Sequence, residues 1–591
     1  MLLQNLYGPK SNDPGAENSE STATLSESAP ADASENTTPN ADAQSPNAAI
    51  NGTEQAEETS DSISEDGQED KTLAAAPAPA FVKLGSLNPD GSDRFLVTVN
   101  QNGGTLHQVE LNFRDTKQQI CFRDLATKGG YLGSFNTVDA SGKTTVVAVG
   151  RHTPAAIAGL QTDDIIESLN DKPIVGREAL EKWLHENTKA GDTIQVGIER
   201  GGVKQTLAAT LTDKPVAIIR PESNLVDPNF DYPESFIFSL IKPGEVHERW
   251  EDLDTVMREG RWELTDNTTD QLVELKFDIP EANLEKQELN GPITVFKRYR
   301  LPKLQQVDIH NLDSRTFHIE LEIEIQNGGT EGVNLAYELG GPTEVSAETW
   351  WYANKIHGRQ AAVFYTAGAR DVIGATAEDP DIFWGRPEIV EDATSSKPTP
   401  KLICDPKSTN PDGRRLKFAG VDSHYFNVSL IPQIPEGEFL TVDSVVAYPV
   451  NRFGKFPEIP KNASLSKLIA CSFQMVTSTE IPANSSFKQS FDIFCGPKDI
   501  DLLEHYELTN ARKFGWFGWC SIALLQVLHF FYWITFKTSY GLAIILLTVL
   551  VRCIMIPFSR KAALNAQMMQ HLSPQIKDCL LYTSPSPRDR G

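Results

Sequence analysis

The sequence predicts a multidomain membrane protein. A large antiparallel β-sandwich is interrupted by a small α+β module and followed by an interfacial helix and an α-helical membrane span. Three observations carry this. From about 214 to 500 the chain is a series of short alternating runs, among them Val273–Phe277, Ile293–Phe296, Phe317–Ile325 and Phe426–Ile431, separated by turn residues. That is the pattern of an antiparallel sandwich. From about 130 to 213, strand and helix periods mix. Tyr540 to Phe558 is apolar with one charge, Arg552, and roughly 17–25 such residues cross a bilayer at 1.5 Å rise each.

The chain has 591 residues and a net charge of −26. The acidic balance argues against nucleic acid as a partner. Much of the charge is local: fifteen acidic residues and no Lys or Arg lie between Ser11 and Asp70. Residues 9–79 are therefore read as a disordered acidic linker, with too few apolar side chains to bury a core. Met1 to Leu6 is apolar but short, so residues 1–8 are read as the remnant of an N-terminal membrane anchor.

The seven cysteines, Cys121, Cys404, Cys471, Cys495, Cys520, Cys553 and Cys579, have no metal-site or redox spacing. No metal or other cofactor is expected. Whether two of Cys404, Cys471 and Cys495 form a disulfide is open. No G-x-S-x-G or H-E-x-x-H occurs, and no enzyme activity is expected.

The sandwich starts at 80–129, where Phe95–Val99 alternates toward a Gly103-Gly104 turn. Within 130–213, Thr144–Val149 reads as a strand and Pro154–Leu160 as a short helix closed by Gly159. Asp164–Asn170 reads as a strand entering an Asn-Asp turn. Gly176–Asn187 is helical, with Leu180, Trp183 and Leu184 at i, i+3, i+4. Thr193–Ile198 and Gln205–Leu211 close the module. This order, with T-P-A-A-I-A-G-L-Q-T-D-D-I-I-E-S-L-N-D-K-P-I, resembles a PDZ domain of the HtrA-type proteases. The resemblance implies capture of a C-terminal peptide as an added strand, its carboxylate held by backbone amides. Tyr131, Leu132, Gly133 and Ser134 match the carboxylate loop. A spacer role for the fold is the alternative.

The sandwich resumes at 214–500. Strict alternation in Phe317–Ile325 predicts one wet face, and Trp350-Trp351-Tyr352 is read as core. Asp499–Lys513 is read as helical. Residues 501–538 are read as a helical linker and an interfacial amphipathic helix, rich in Trp, Phe and Tyr, with a second span as the alternative. The span occupies 539–558, ending at Pro557. About a dozen apolar residues favour its insertion by roughly 4–7 kcal/mol, against about 2.5–3.5 kcal/mol for the Arg. Arg552 either snorkels to the interface or faces a wet cavity. Residues 559–578 are read as the start of a cytoplasmic helix. The Ser-Pro-rich end, 579–591, is read as a non-native tail.

Gly515-Trp516-Phe517-Gly518-Trp519, Tyr540 to Arg552, Pro557-Phe558-Ser559-Arg560-Lys561, Met568 and Leu572 to Lys577 together resemble the YidC membrane protein insertase family. The resemblance spans about 85–578, with the PDZ-like module as an insertion. It implies an insertase and chaperone for nascent integral membrane proteins. It further implies a hydrophilic groove open to lipid and cytoplasm in which Arg552 receives polar parts of the substrate. It implies a multi-pass protein of the bacterial inner membrane with residues before about 539 in the periplasm, and the Sec translocon and ribosome as partners. The family's further spans are not in this sequence, so the chain is read as incomplete. A membrane-tethered binding protein, using the PDZ-like module for extracytoplasmic C-terminal peptides, is the second reading.

Overall fold

The structure, a computed structural model, describes residues 80–583 apart from 91–92, 125–128, 141, 220–233, 245–248, 306–307, 313, 344, 347–370, 396–398, 436–437, 451–470, 512–517 and 536–538. The expectations for 1–79, for Trp350-Trp351-Tyr352 and for 584–591 lie outside the described residues.

The first sheet is antiparallel. Strands β1 (Phe81–Gly85), β2 (Phe95–Asn100) and β3 (Thr105–Leu111) are followed in it by Ala217–Ile219. The expected hairpin joins β2 to β3, with Asn100 opposite Thr105 and Phe95 opposite Leu111. Gly103 and Gly104 turn it at φ 72° and 58°. A Cβ on Gly103 would lie 2.5 Å from the Arg258 carbonyl oxygen, so only glycine fits.

Two further antiparallel sheets have five and ten strands among the described residues. The larger is built around His318–Asn327 and Ser485–Pro497, paired from His318↔Phe494 to Asn327↔Ser485. The smaller includes Val333–Gly340 and Cys471–Ile481. All three sheets feed one continuous hydrophobic core that includes Leu84, Phe95, Tyr337, Phe473 and Ile493. The chain reaches this layered β arrangement because each run keeps a two-residue period. In Ile293–Arg300, for example, Ile293, Val295, Lys297 and Tyr299 are buried and the residues between them are partly exposed.

The expected wet face of Phe317–Ile325 is only partly wet. Glu324 is buried. Arg298 bonds Glu322 at 2.5 Å and Glu324 at 2.6 Å and also reaches Glu274, while Lys488 lies 3.2 Å from Glu324. Cross-strand ion pairing covers the acidic stripe, which alternation alone cannot foresee.

Residues 130–212 form a separate cluster with its own core, including Leu132, Val146, Ile166, Leu180, Leu184 and Ile198. β4 (Phe135–Ala140), β5 (Lys143–Val149), Ile165–Leu169, Thr193–Arg200 and Val203–Thr210 follow one another across its sheet, with β4 at the edge. Helix α1 (Pro154–Ala158) is capped by the Thr153 hydroxyl and closed by Gly159 at φ 93°. Helix α2 (Arg177–Asn187) packs Leu180 and Leu184 inward. Asn170 and Asp171 both take positive φ, as the tight turn demands.

The C-terminal helices depart from expectation. Asp499 caps a helix of only Ile500–His505, and a 3-10 turn at Thr509–Ala511 replaces the longer helix read there. Tyr506 breaks it to join the core, bonding His318 Nδ1 at 2.7 Å. Helix α3 (Gly518–Ile534) is apolar. Helix α4 (Tyr540–Thr583) does not end at Pro557 but runs through it and through Pro574. A proline removes one amide donor, which a long apolar helix tolerates. Residues 579–583, read as part of a coil-like tail, continue this helix. Residues Tyr540–Pro574 are long and apolar enough to cross a membrane. Cys404, Cys471 and Cys495 are buried, and Cys404 and Cys495 are free thiols.

Lys297 is fully buried, its ammonium donating to the Gly104 and Phe236 carbonyls at 2.6 and 2.7 Å. Burial brings it down from 10.5 to about 7. Between those values the unfolded chain holds a proton that the folded chain lacks, so stability rises with pH across the window and is lowest below it. Urea unfolding of wild type and Lys297→Met, followed by tryptophan fluorescence, should show the wild type gaining on the variant between pH 7 and 10.

Candidate functional site

Two places hold the residues singled out from the sequence. The first is the loop before β4. Tyr131 is anchored by reciprocal backbone bonds with Thr212, of 2.9 and 3.1 Å. The Leu132 side chain is buried in the module core, and its carbonyl accepts from the Ala155 amide at 2.6 Å. Gly133 sits at φ 140°, where a Cβ would lie 2.7 Å from Thr153 Oγ1. The Ser134 carbonyl accepts from the Gly150 amide at 2.7 Å. The amides of Leu132, Gly133 and Ser134 make no hydrogen bond among the described residues. They precede a strand whose outer edge is unpaired among the described residues.

That open edge faces α2. The Arg177 guanidinium donates to the Phe135 carbonyl at 3.3 Å and to Glu181 Oε1 at 2.8 Å. The Arg177 amide is fixed by Asp139 Oδ2 at 3.1 Å. A vacant strand position with unpaired amides at one end is the geometry that takes an extended peptide and its carboxylate.

Strands β1, β2 and β3 also border the loop. Lys83 Nζ donates to Thr98 Oγ1 at 2.7 Å and to Ser134 Oγ at 3.0 Å. The Tyr131 hydroxyl donates to Glu110 Oε1 at 2.8 Å. All five residues are buried. Burial lowers the Lys83 ammonium to about 7, opposed by the Glu110 charge. Burial and Glu110 together raise the Tyr131 phenol. Sequence reasoning found the loop but missed Lys83 and Glu110, which belong to a different core and carry no motif.

The second place is Arg552 on α4. It is exposed and has no polar partner among the described residues. At 100° per residue, Gly541, Thr548, Arg552 and Ser559 fall within about 40° of one another on the helix. The Thr548 and Ser559 hydroxyls donate back to the Ile544 and Met555 carbonyls at 2.8 and 3.0 Å. Tyr532 of α3 stacks on Tyr540 at 3.9 Å between ring centroids. The less exposed residues Ala543, Leu546 and Leu547 lie away from the stripe. A helical projection would have found Thr548 and Ser559, since they stand four before and seven after the Arg.

Residues 130–211 match the PDZ domain family. The chain is 31% identical over 174 residues to the "Membrane protein insertase YidC" of Syntrophus aciditrophicus, covering 29% of this chain and 27% of that protein. It is 36% identical over 100 residues to the protein of the same name from Magnetococcus marinus, covering 17% and 18%. Over these segments the chain is similar to membrane protein insertases of the YidC family. The match spans about a quarter or less of the length of these relatives. The chain carries its PDZ domain between two segments of the β-rich region. Among solved structures, a GalM/aldose epimerase homologue from C. elegans aligns at 8% identity over 71% of this chain and 100% of that one, with a TM-score of 0.28, too low to bear on function.

Replacing Gly133 with Val should destabilise the PDZ domain by about 1–3 kcal/mol, through the unfavourable φ and the clash with Thr153. Hydrogen exchange should then quicken in β4 and α1 and stay unchanged in the His318–Asn327 strand.

Proposed function

We propose that this chain belongs to a membrane protein insertase and chaperone in which Arg552 receives hydrophilic parts of nascent integral membrane proteins in a groove within the bilayer. The observation that carries this is the exposed Arg552 in line with Gly541, Thr548 and Ser559 along an otherwise apolar helix. A guanidinium placed there costs about 2.5–3.5 kcal/mol unless water or an anion meets it. Small and hydroxyl-bearing neighbours leave room for both. Acidic or polar segments of a substrate are drawn to the cation, and the apolar helix that follows partitions into lipid beside α4. The action forms and breaks no covalent bond. The β-rich region, read as a sandwich, and the PDZ domain lie on the periplasmic side of the bacterial inner membrane. By family analogy alone, the Sec translocon and the ribosome are partners, with further spans completing the groove.

Charge removal tests this in the intact protein. Arg552→Leu should lower insertion of a substrate with an acidic extracytoplasmic segment about tenfold, equivalent to 1.4 kcal/mol of lost attraction. Arg552→Lys should keep most of it. Unchanged insertion in the Leu variant would leave α4 as an anchor only.

A second activity is favoured by the unpaired Leu132–Ser134 amides beside the open edge of β4. The PDZ domain takes extracytoplasmic C-terminal peptides with an apolar last residue, as a strand added to β4. Calorimetric titration with a decapeptide ending in Val should show micromolar to millimolar binding, weakened when the terminus is amidated. Equal response to both forms, or none, would refute it.

A further inference from the structure

Lys83 lies outside the PDZ domain, 51 positions before Ser134, yet its ammonium touches the carboxylate loop. It is only 7% exposed. Its two bonded partners are hydroxyls, and no carboxylate lies within ion-pair distance among the described residues. An ammonium has three donors, so one remains unused. Burying a cation against neutral oxygens is costly. The neighbouring Glu110 is engaged by Tyr131 through one oxygen, and its other oxygen is buried without a partner. The Arg177 guanidinium also borders the loop, bonded to the Phe135 carbonyl. Two cations from separate elements therefore flank three unpaired amides.

We infer that Lys83 is a ligand-binding residue of the PDZ domain, supplied by the β-rich region, and that the peptide carboxylate is held by a composite site of the Leu132–Ser134 amides and the Lys83 ammonium. This rests on the reading of the loop as a C-terminal peptide site. An incoming carboxylate gives Lys83 the anion it lacks, with Ser134 keeping the two in register. Binding is thereby coupled to the contact between the PDZ domain and β1. A PDZ domain released from that contact is a poorer receptor. The groups facing Lys83 are Thr98 from β2, Glu110 from β3, Tyr131 and Ser134 from the loop and Arg177 from α2; Glu110, Tyr131 and Arg177 carry or can carry charge.

The test uses the whole chain in detergent and two probes, a Val-terminated decapeptide as free acid and as amide. Wild type should prefer the acid, and Lys83→Met, which keeps the apolar stem, should lose about tenfold in affinity for the acid and none for the amide. A second measurement needs no variant. At pH 8, where the buried ammonium is largely deprotonated, binding of the acid should take up close to one proton, read from the dependence of the calorimetric enthalpy on buffer ionisation. If wild type prefers the acid while Lys83→Met keeps that preference in full, or no proton is taken up, the composite site is wrong and the PDZ reading stands. If wild type binds neither probe, both fall.

Discussion

Arg552 lies twelve residues into α4, about 18 Å along the helix from Tyr540. In a membrane it would oppose insertion of the segment that holds it by about 2.5–3.5 kcal/mol. A dozen apolar neighbours supply the insertion energy that the charge opposes. The balance still favours the membrane, but only for a helix that stays apolar on its remaining faces. That requirement explains the composition of the stretch. The hydroxyls of Thr548 and Ser559 turn back to the helix carbonyls, so in a membrane they would add polarity to the Arg face without leaving unsatisfied donors. The stripe is narrow because a wider one would cost the span.

Cations away from water recur elsewhere, and each is compensated differently. Lys297 is received by two backbone carbonyls beside the Trp262 ring, so it fixes the β2–β3 turn to the neighbouring strands. Arg298, one residue on and on the opposite face, is surrounded by Glu274, Glu322 and Glu324, and burial of the acidic stripe follows from it. Arg298 is paired with carboxylates; Lys297, like Lys83, is met only by two neutral oxygens. Lys297 lies between sheets of the core, whereas Lys83 borders a loop with unpaired amides and Arg552 is exposed. Incomplete compensation beside such an opening marks a cation that a ligand can reach.

The strands were legible because their residues alternate, and the PDZ domain because its turns demand particular residues: Gly159 at a left-handed helix end, Asn170-Asp171 at positive φ, Gly133 against Thr153. Local steric rules write themselves into sequence. The partnership of Lys83 with Ser134 does not, since 51 residues intervene and neither side chain is unusual alone. The same limit applies to Glu324, whose burial depends on Arg298 and Lys488 from the two flanking strands. The error at Pro557 had another origin. Proline is a strong stop signal in water because the freed carbonyl can be solvated and the chain can turn. In an apolar helix both alternatives are more costly than continuing.

The location of the PDZ insertion follows from the same physics. It leaves the β-rich region after β3 and returns at Ala217–Ile219, which pairs with β3 in the same sheet. Entry and exit are therefore adjacent, and the insertion interrupts no strand of the larger sheets. An independent core in 130–212 means that the module adds its own burial and takes little from its host. What it shares with the host is partly apolar, with Tyr131 packed against Leu87 and Leu96, and partly polar: Lys83 to Ser134, Tyr131 to Glu110, and Arg151 to the Lys83 carbonyl at 3.2 Å. The apolar part holds whatever the state of the loop. A buried contact made of charged and hydroxyl groups is sensitive to any anion that enters it, because each partner has a costly alternative. On the proposed reading of the loop as a peptide site, such a contact beside it would join occupancy of the PDZ domain to the rigidity of its attachment.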